Sequence, residues 1–320
     1  MALALFALLI AAALIAHYGT DAVGGAVTSV GWRGLAMLCA AHCAALVFRG
    51  LAWHQALAPP VEAGRRVCVW ACCVRDGMNN VVGIIPASGE FAAARELALF
   101  GARPVVAAAS AIVDLTAELV SQILFTCAGI GVLFARGSTA NVTLWLAGGV
   151  GVSAALILTL LLAQRRGLLN LLETLPKRLG LEEKWAAFSG DQKLHDAVER
   201  IYAEPWRLPA SIAFHLLGWV CVAFEAWLAL GFMGRPVSFA DALALESLVY
   251  AARSAAFFVP WAAGVQEGGY VFAGALLGIP PAEALAVSVL KRAREWSLGA
   301  PSLLAWQLVE SRRMARQKSS

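Results

Sequence analysis

Charge is scarce in this chain. Only 14% of its 320 residues are Asp, Glu, Lys or Arg, against roughly a quarter in soluble domains, which excludes an ordinary water-soluble composition. The net charge of +4 is small and the basic residues gather in a few loops, not in the broad basic face that nucleic-acid binding requires. Signatures of catalysis are missing too. There is no GxSxG elbow, no Walker A loop and no defensible Ser-His-Asp order, so neither acyl transfer nor nucleotide hydrolysis is indicated. His17, His42, His54, His195 and His215 form no HExxH or HxxE pair, and packing or interface roles are expected for them. The seven cysteines lie in apolar stretches without zinc or redox spacing, and although Cys68, Cys72 and Cys73 share one helix, they read as small hydrophobes. The expectation is a protein that is not an enzyme, with no cofactor, no metal and no nucleic-acid partner.

What the chain has instead is apolar length. Hydrophobic residues make up 60% and the mean hydropathy is +0.71, so the solvent of most of the chain is a bilayer. Apolar segments fall at 2–17, 31–52, 66–85, 91–100, 104–135, 142–163, 208–233, 239–259, 268–279 and 281–308. The first lacks a basic leader and a clear cleavage site, so it reads as a transmembrane helix. Most of the 11 tryptophans fall near the ends of these segments, as in interfacial aromatic belts. Segments 91–100 and 268–279 are too short to cross about 30 Å of hydrocarbon at 1.5 Å per residue.

Those two short segments belong to an internal repeat. Glu90, Gly101, Asp114 and Glu118 recur as Glu267, Gly278, Lys291 and Glu295, at the same intervals of 11, 13 and 4 residues. Each set follows a break, Pro86–Gly89 or Pro260–Gly264, and each short segment ends in Gly101-Ala-Arg-Pro104 or Gly278-Ile-Pro-Pro281. A helix, a break and a short helix read as a re-entrant hairpin, tolerated at depth only inside protein or beside a wet cavity. Paired interrupted segments in two halves of a membrane protein point to a substrate site.

The distribution of basic residues orients the chain. Arg49, Arg65 and Arg66, the stretch from Arg165 to Arg207, and Arg312 to Lys318 are the basic clusters. Placing all of them inside gives cytoplasmic N- and C-termini and two hairpins that enter from opposite faces. The fold expected is an all-α polytopic membrane protein with an inverted-topology repeat and two re-entrant helical hairpins. It is organised as one membrane domain. Residues 1–60 form two spans, 61–163 the first repeat, 164–207 a cytoplasmic amphipathic segment, 208–310 the second repeat and 311–320 a basic tail.

Charges at depth mark the candidate site. Asp114 lies about ten residues, or roughly 15 Å, into a span, with Glu118 one turn further. Lys291 and Glu295 occupy the matching positions. An unpaired charge there costs at least about 3 kcal/mol. Lys291 and Glu295 can neutralise each other at i, i+4, whereas Asp114 and Glu118 cannot. Lys291, Arg292 or Arg294 could serve them across the repeat interface, or a proton or bound cation could. The charges act either as a buried latch between halves or directly on substrate or protons. Glu90 and Glu267, at the starts of the short helices, either cap free N–H groups or alternate in solvent access. Arg75, Arg95 and Arg253 are candidate headgroup ligands, because guanidinium binds phosphate or carboxylate bidentately.

These motifs carry a resemblance. Pro86-Ala-Ser-Gly-Glu90 with Arg95, Asp114 and Glu118, and Gly264-Val-Gln-Glu267, Gly278-Ile-Pro280 and Lys291-Arg292-Ala-Arg-Glu295, resemble the lysylphosphatidylglycerol-synthase transmembrane (flippase-like) family, above all its hopanoid-biosynthesis-associated members. The resemblance implies movement of a lipid between leaflets, or an accessory role in hopanoid metabolism, in the bacterial inner membrane. Trp261-Ala262-Ala263 stands where many relatives have glycines, and a larger apolar tip would suit a rigid polycyclic lipid. The partners expected are a membrane lipid, hopanoid or phospholipid, and lipid-biosynthesis enzymes. The headgroup would pass a cavity lined by Glu90, Asp114, Glu118, Glu267, Lys291, Arg292 and Glu295, with protonation of Asp114 and Glu118 as the coupling step. The rival reading is a scaffold that holds lipid-synthesis enzymes through 164–207.

Overall fold

The computed structural model describes residues 12–14, 16–57, 63–83, 85, 87–137, 151, 155, 158–159, 194–256 and 258–319. Every regular element among them is helical. These are α1 (Thr20–Gln55), α2 (Arg65–Gly77) running into a π turn (Met78–Val82), α3 (Ser88–Leu99), α4 (Pro104–Ala135), α5 (Leu194–Tyr202), α6 (Arg207–Phe232), α7 (Phe239–Ala255), a 3-10 turn (Pro260–Ala262), α8 (Val265–Leu277) and α9 (Pro281–Ser319). The chain is an all-α membrane protein: α1, α4 and α6 are each long and apolar enough to cross a bilayer. Met37 of α1, Leu115, Leu124 and Phe134 of α4, and Leu217, Val220 and Phe224 of α6 stay exposed. In water such a surface would aggregate, whereas in hydrocarbon it is matched to its solvent.

The two motif sets share several features of local structure. Gly101 and Gly278 both take positive φ, 107° and 73°, and both close a short helix with the same pair of bonds. Ala102 N–H donates to the Leu97 carbonyl at 3.0 Å and Gly101 N–H to Ala98 at 3.2 Å; Ile279 N–H donates to Gly274 at 2.8 Å and Gly278 N–H to Ala275 at 3.4 Å. A proline then opens each long helix, Pro104 for α4 and Pro281 for α9, where its missing N–H costs nothing. The breaks before the short helices share a feature as well. Non-glycine residues hold left-handed φ there: Ala87 at 62° in one copy, Trp261 at 55° and Ala262 at 47° in the other.

One expected boundary is corrected. The sequence places a loop near 18–30, but the helix runs from Thr20 and deviates at Gly31, where φ is 60°. The intervening residues contain no proline and too little polarity to stop a helix. The chain bends instead at Gly19 (φ 95°) and Gly31, where no Cβ opposes the left-handed region. The expected span 142–163 and residues 164–193 of the amphipathic segment lie essentially outside the described residues.

The chain folds as two compact units that interleave in sequence: Met1–Cys43, Cys72–Ala92 and Val222–Ser320 in the first, Ala44–Ala71 and Ala93–Cys221 in the second. In the second unit α5 packs on α4, burying Leu194, Ala197, Val198 and Ile201. Trp53 Nε1 donates to Ser110 Oγ at 3.1 Å and Trp219 Nε1 to Ser121 Oγ at 3.0 Å. Arg207 Nη1 donates to the carbonyls of Leu57 at 2.8 Å and Gln55 at 3.2 Å, satisfying the end of α1. In the first unit α8 packs on α7 and on α9, and the π turn packs on α9. Two glycines permit the last contact. A Cβ on Gly299 would lie 2.7 Å from Val81 Cγ2 and 3.1 Å from the Gly77 Cα.

Candidate functional site: a buried charge network

The first unit holds a continuous network of ionisable side chains, anchored on one stretch of α9. Lys291 lies at its centre. Its Nζ donates to Glu246 Oε2 of α7 at 2.7 Å and to the Val222 carbonyl of α6 at 3.3 Å, with Glu225 Oε2 at 3.7 Å. Tyr270 Oη donates to the other Glu246 oxygen at 2.7 Å. Arg294 Nη2 faces Glu225 Oε2 at 3.2 Å. Glu225 Oε1 meets His42 Nδ1 of α1 at 2.9 Å. His42 Nε2 lies 3.1 Å from Arg294 Nη1 and 3.3 Å from Asp76 Oδ2 of α2. Nearly all of these groups are buried. Charges taken this far from water persist only when paired and hydrogen-bonded; Lys291, Glu246 and His42 have both, whereas Glu225 Oε2 and Arg294 Nη2 face each other as an ion pair without a hydrogen bond.

A second half of the network is looser and reaches the surface. Arg253 of α7 donates to Gln266 Oε1 at 2.6 Å, with Glu295 Oε1 and Asn80 Oδ1 both at 3.4 Å, and its guanidinium lies 5.1 Å from the Tyr250 ring centroid. Arg292 lies 3.5 Å from both Glu267 Oε1 and Glu295 Oε2. The Arg253 and Arg292 side chains are 16% and 22% exposed, whereas Lys291, Arg294 and Glu295 are sealed. Helix geometry explains the difference. At about 100° per residue, Glu295 lies about 40° and Arg294 about −60° from Lys291, so all three share an inward arc, with Arg292 at its edge.

Glu267 does two jobs. Its Oε2 accepts the Gly264 N–H at 2.8 Å, closing the N-terminus of α8, and its Oε1 accepts from Ser288 Oγ at 3.1 Å. Glu90, its counterpart, is held differently: Asn79 Nδ2 of the π turn donates to it at 3.1 Å, while Asn79 Oδ1 accepts the Gly89 N–H at 3.1 Å. The π turn and the second break meet within this unit, where Trp261 Nε1 donates to the Val81 carbonyl at 3.3 Å.

The second unit carries a smaller site. Asp114 Oδ1 of α4 lies 3.0 Å from His215 Nε2 of α6, both buried. Glu118 is half-buried one turn along, and Arg95 of α3 is exposed. Its neighbour Glu96 is buried and accepts from Trp70 Nε1 at 2.8 Å.

Of the residues singled out in the sequence, Arg253, Glu267, Lys291, Arg292 and Glu295 form one network, and Asn79 ties Glu90 to the π turn beside it. The partners differ from those expected. Lys291 pairs with Glu246 and Glu225, not with Glu295 one turn away, and His215 is the partner found on Asp114. His42, His215 and Glu225 had drawn no functional expectation. A search for pairs close in sequence misses them, because His42 and Glu225 are separated by 183 residues and His215 and Asp114 by 101. The available signal was an ionisable residue inside an apolar span, which is functional by default.

No group of three or more His, Cys, Asp and Glu suited to a metal occurs among the described residues. Among known proteins, the profile of the lysylphosphatidylglycerol synthase TM region matches residues 1–300. No curated protein and no solved structure matches the chain.

Proposed function

This chain belongs to the lysylphosphatidylglycerol synthase transmembrane family, and we propose that it moves an amphiphilic lipid between the leaflets of the bacterial inner membrane. The family connects the chain to lipid metabolism or translocation. The reading of translocation rests on one observation: the charge network divides into tight and loose halves. Lys291 and Glu246 are 2.7 Å apart and sealed, near the optimum for a charge-assisted bond. The contacts of Arg253 with Glu295 and of Arg292 with Glu267 and Glu295 are 3.4 to 3.5 Å and reach solvent. A headgroup phosphate or polyol entering beside the two guanidiniums exchanges for these long carboxylate contacts and leaves the short ones intact, that of Arg253 to Gln266 at 2.6 Å included. The tail meanwhile stays in hydrocarbon.

In this scheme the breaks before α3 and α8 are the moving parts, as hairpins opening alternately to opposite faces, with both termini cytoplasmic. The lipid is a phospholipid or a hopanoid, and the link is to hopanoid or other lipid metabolism. Asp114 with His215 forms a second buried pair. The scaffold reading draws no support from 194–202, where the apolar face of α5 is already buried on α4 and so is not offered to an enzyme partner.

The test is leaflet-resolved lipid movement in proteoliposomes, with one hopanoid and one phospholipid probe. Wild type is compared with Arg253→Gln, Arg292→Gln and Glu267→Gln. Loss of movement in correctly folded arginine variants supports the path described. A folded wild type that moves neither probe overturns transport and returns attention to residues 164–207.

A further inference from the structure

The buried imidazole of His42 is asked for two incompatible things by its neighbours. Nδ1 sits 2.9 Å from Glu225 Oε1, and an ionised carboxylate only accepts, so Nδ1 carries a hydrogen. Nε2 has two partners. Arg294 Nη1, at 3.1 Å, only donates, and therefore needs a bare Nε2. Asp76 Oδ2, at 3.3 Å, accepts when ionised, and therefore needs a hydrogen on the same atom. One nitrogen cannot serve both. A hydrogen carried by Asp76 instead would compete with Arg294 for the single lone pair.

The charged groups facing the ring come from three other helices: Asp76 from α2, Glu225 from α6 and Arg294 from α9. Lys291 stands behind Glu225 at 3.7 Å. On α1 itself its neighbours one turn away on either side include Cys39, and next to it Cys43. The neutral ring accepts from Arg294. When a proton from water bonds to Nε2, the ring becomes a cation, donates to Asp76 and repels the guanidinium. Arg294 is adjacent in sequence to Glu295, which faces Arg253 and Arg292. A displacement of the Arg294 side chain therefore changes the charge felt by Glu295, and through it the loose half of the network, with the α9 backbone in place.

We infer that His42 Nε2 is the proton-binding site that couples a proton movement to lipid movement in this protein. The inference rests on the translocation reading above, and it places the coupling proton on an imidazole between α2 and α9. The bond formed is N–H on Nε2, the bond lost is the hydrogen bond from Arg294, and the proton leaves again to water when the ring returns to the neutral form.

The experiment uses the full chain in vesicles of phosphatidylethanolamine and phosphatidylglycerol, with trapped pyranine reporting protons and a fluorescent phosphatidylglycerol analogue as the lipid probe. Wild type is expected to take up protons as the probe moves, and a proton gradient changes the probe rate. His42→Gln, whose amide can donate to Glu225 and accept from Arg294, mimics the neutral ring and is expected to lose both responses. Asp76→Asn removes the negative charge that favours the charged ring, so the pH midpoint of probe movement is expected to fall by about one unit or more. If His42→Gln fails to fold, that shift decides. Proton uptake persisting in folded His42→Gln, or an unmoved midpoint in Asp76→Asn, overturns the inference. Probe movement in wild type without proton uptake overturns it while leaving translocation standing, and a wild type that moves no probe overturns both.

Discussion

Replacing Lys291 with methionine measures how strongly the tight half of the network is held. Methionine fills much of the same volume and removes only the cation. The lost contacts are those to Glu246 at 2.7 Å, the Val222 carbonyl at 3.3 Å and Glu225 at 3.7 Å. Removing one member of a buried ion pair costs about 3–5 kcal/mol, because the other charge stays buried. Glu225 keeps His42 and Arg294, so Glu246 carries most of the loss and the lower end, about 3 kcal/mol, applies. Adding Glu246→Gln removes the orphaned charge while keeping an acceptor for Tyr270. The double variant is expected to recover all but about 1 kcal/mol, the worth of an ordinary hydrogen bond. Reversible denaturant unfolding in detergent, followed by tryptophan fluorescence, gives the four corners of the cycle. A single variant within about 0.5 kcal/mol of wild type, or a double variant as unstable as the single, refutes the argument. Arg235 supplies the control. It also reaches a carboxylate, Glu283, at 2.7 Å, but its side chain is 43% exposed, and the hydrogen bonds it donates to Glu283 hold the pKa of its guanidinium above the ordinary value. Arg235→Met is expected to leave the unfolding curve unchanged, since water screens and replaces that pair.

Two further substitutions test the backbone. Gly299→Val drives a side chain into Val81 and the backbone of Gly77, and is expected to cost about 1–3 kcal/mol as overpacking, with the denaturant midpoint as the readout. Gly278→Ala adds a methyl where nothing lies within 4 Å but φ is 73°; the cost is that of the left-handed backbone alone, about 1 kcal/mol, and Gly278→Asn is expected to lose less in the same titration.

The fold was legible in the sequence wherever chain chemistry is local. Segment 104–135 coincides with α4, and the short segments 91–100 and 268–279 correspond to α3 and α8 within three residues at each end. Proline at the start of a helix, glycine past its end and unbroken apolar runs act over a few residues, so spacing alone exposes them. The matching closures at Gly101 and Gly278 fall where the sequence sets glycine and proline at the same spacing in both copies. The partners of the charges were not legible, because pairing is decided by which helices pack. Lys291 and Glu295 satisfy the i, i+4 rule, yet Glu246 and Glu225 compete from α7 and α6 and, in a buried site, win Lys291 by a shorter approach. The loop expected near 18–30 failed for a local reason: absence of a long apolar run was read as a break, although only Gly19 interrupts the helix there and nothing from Thr20 to Val30 stops it.

Rigidity and movement must then be divided between different parts of the same unit. Lys291, Arg294 and Glu295 find partners on α1, α6 and α7. Shifting α9 by one residue would rotate every one of them by about 100° and break all the pairs together. The register of α9 is therefore fixed, and motion has to come from elements held by fewer bonds. The break between α7 and α8 fits, since Trp261 and Ala262 sit there at left-handed φ of 55° and 47°, a conformation that costs a non-glycine residue free energy. Ala262→Gly removes roughly 1–2 kcal/mol of strain against about 0.4–1 kcal/mol of added unfolded-state entropy, and is expected to stabilise the present conformation by the difference. If the break must leave this conformation during each cycle, the same substitution slows lipid movement while raising the denaturant midpoint. A variant that is more stable and moves lipid at the wild-type rate would show that the break at 260–264 is not the moving part.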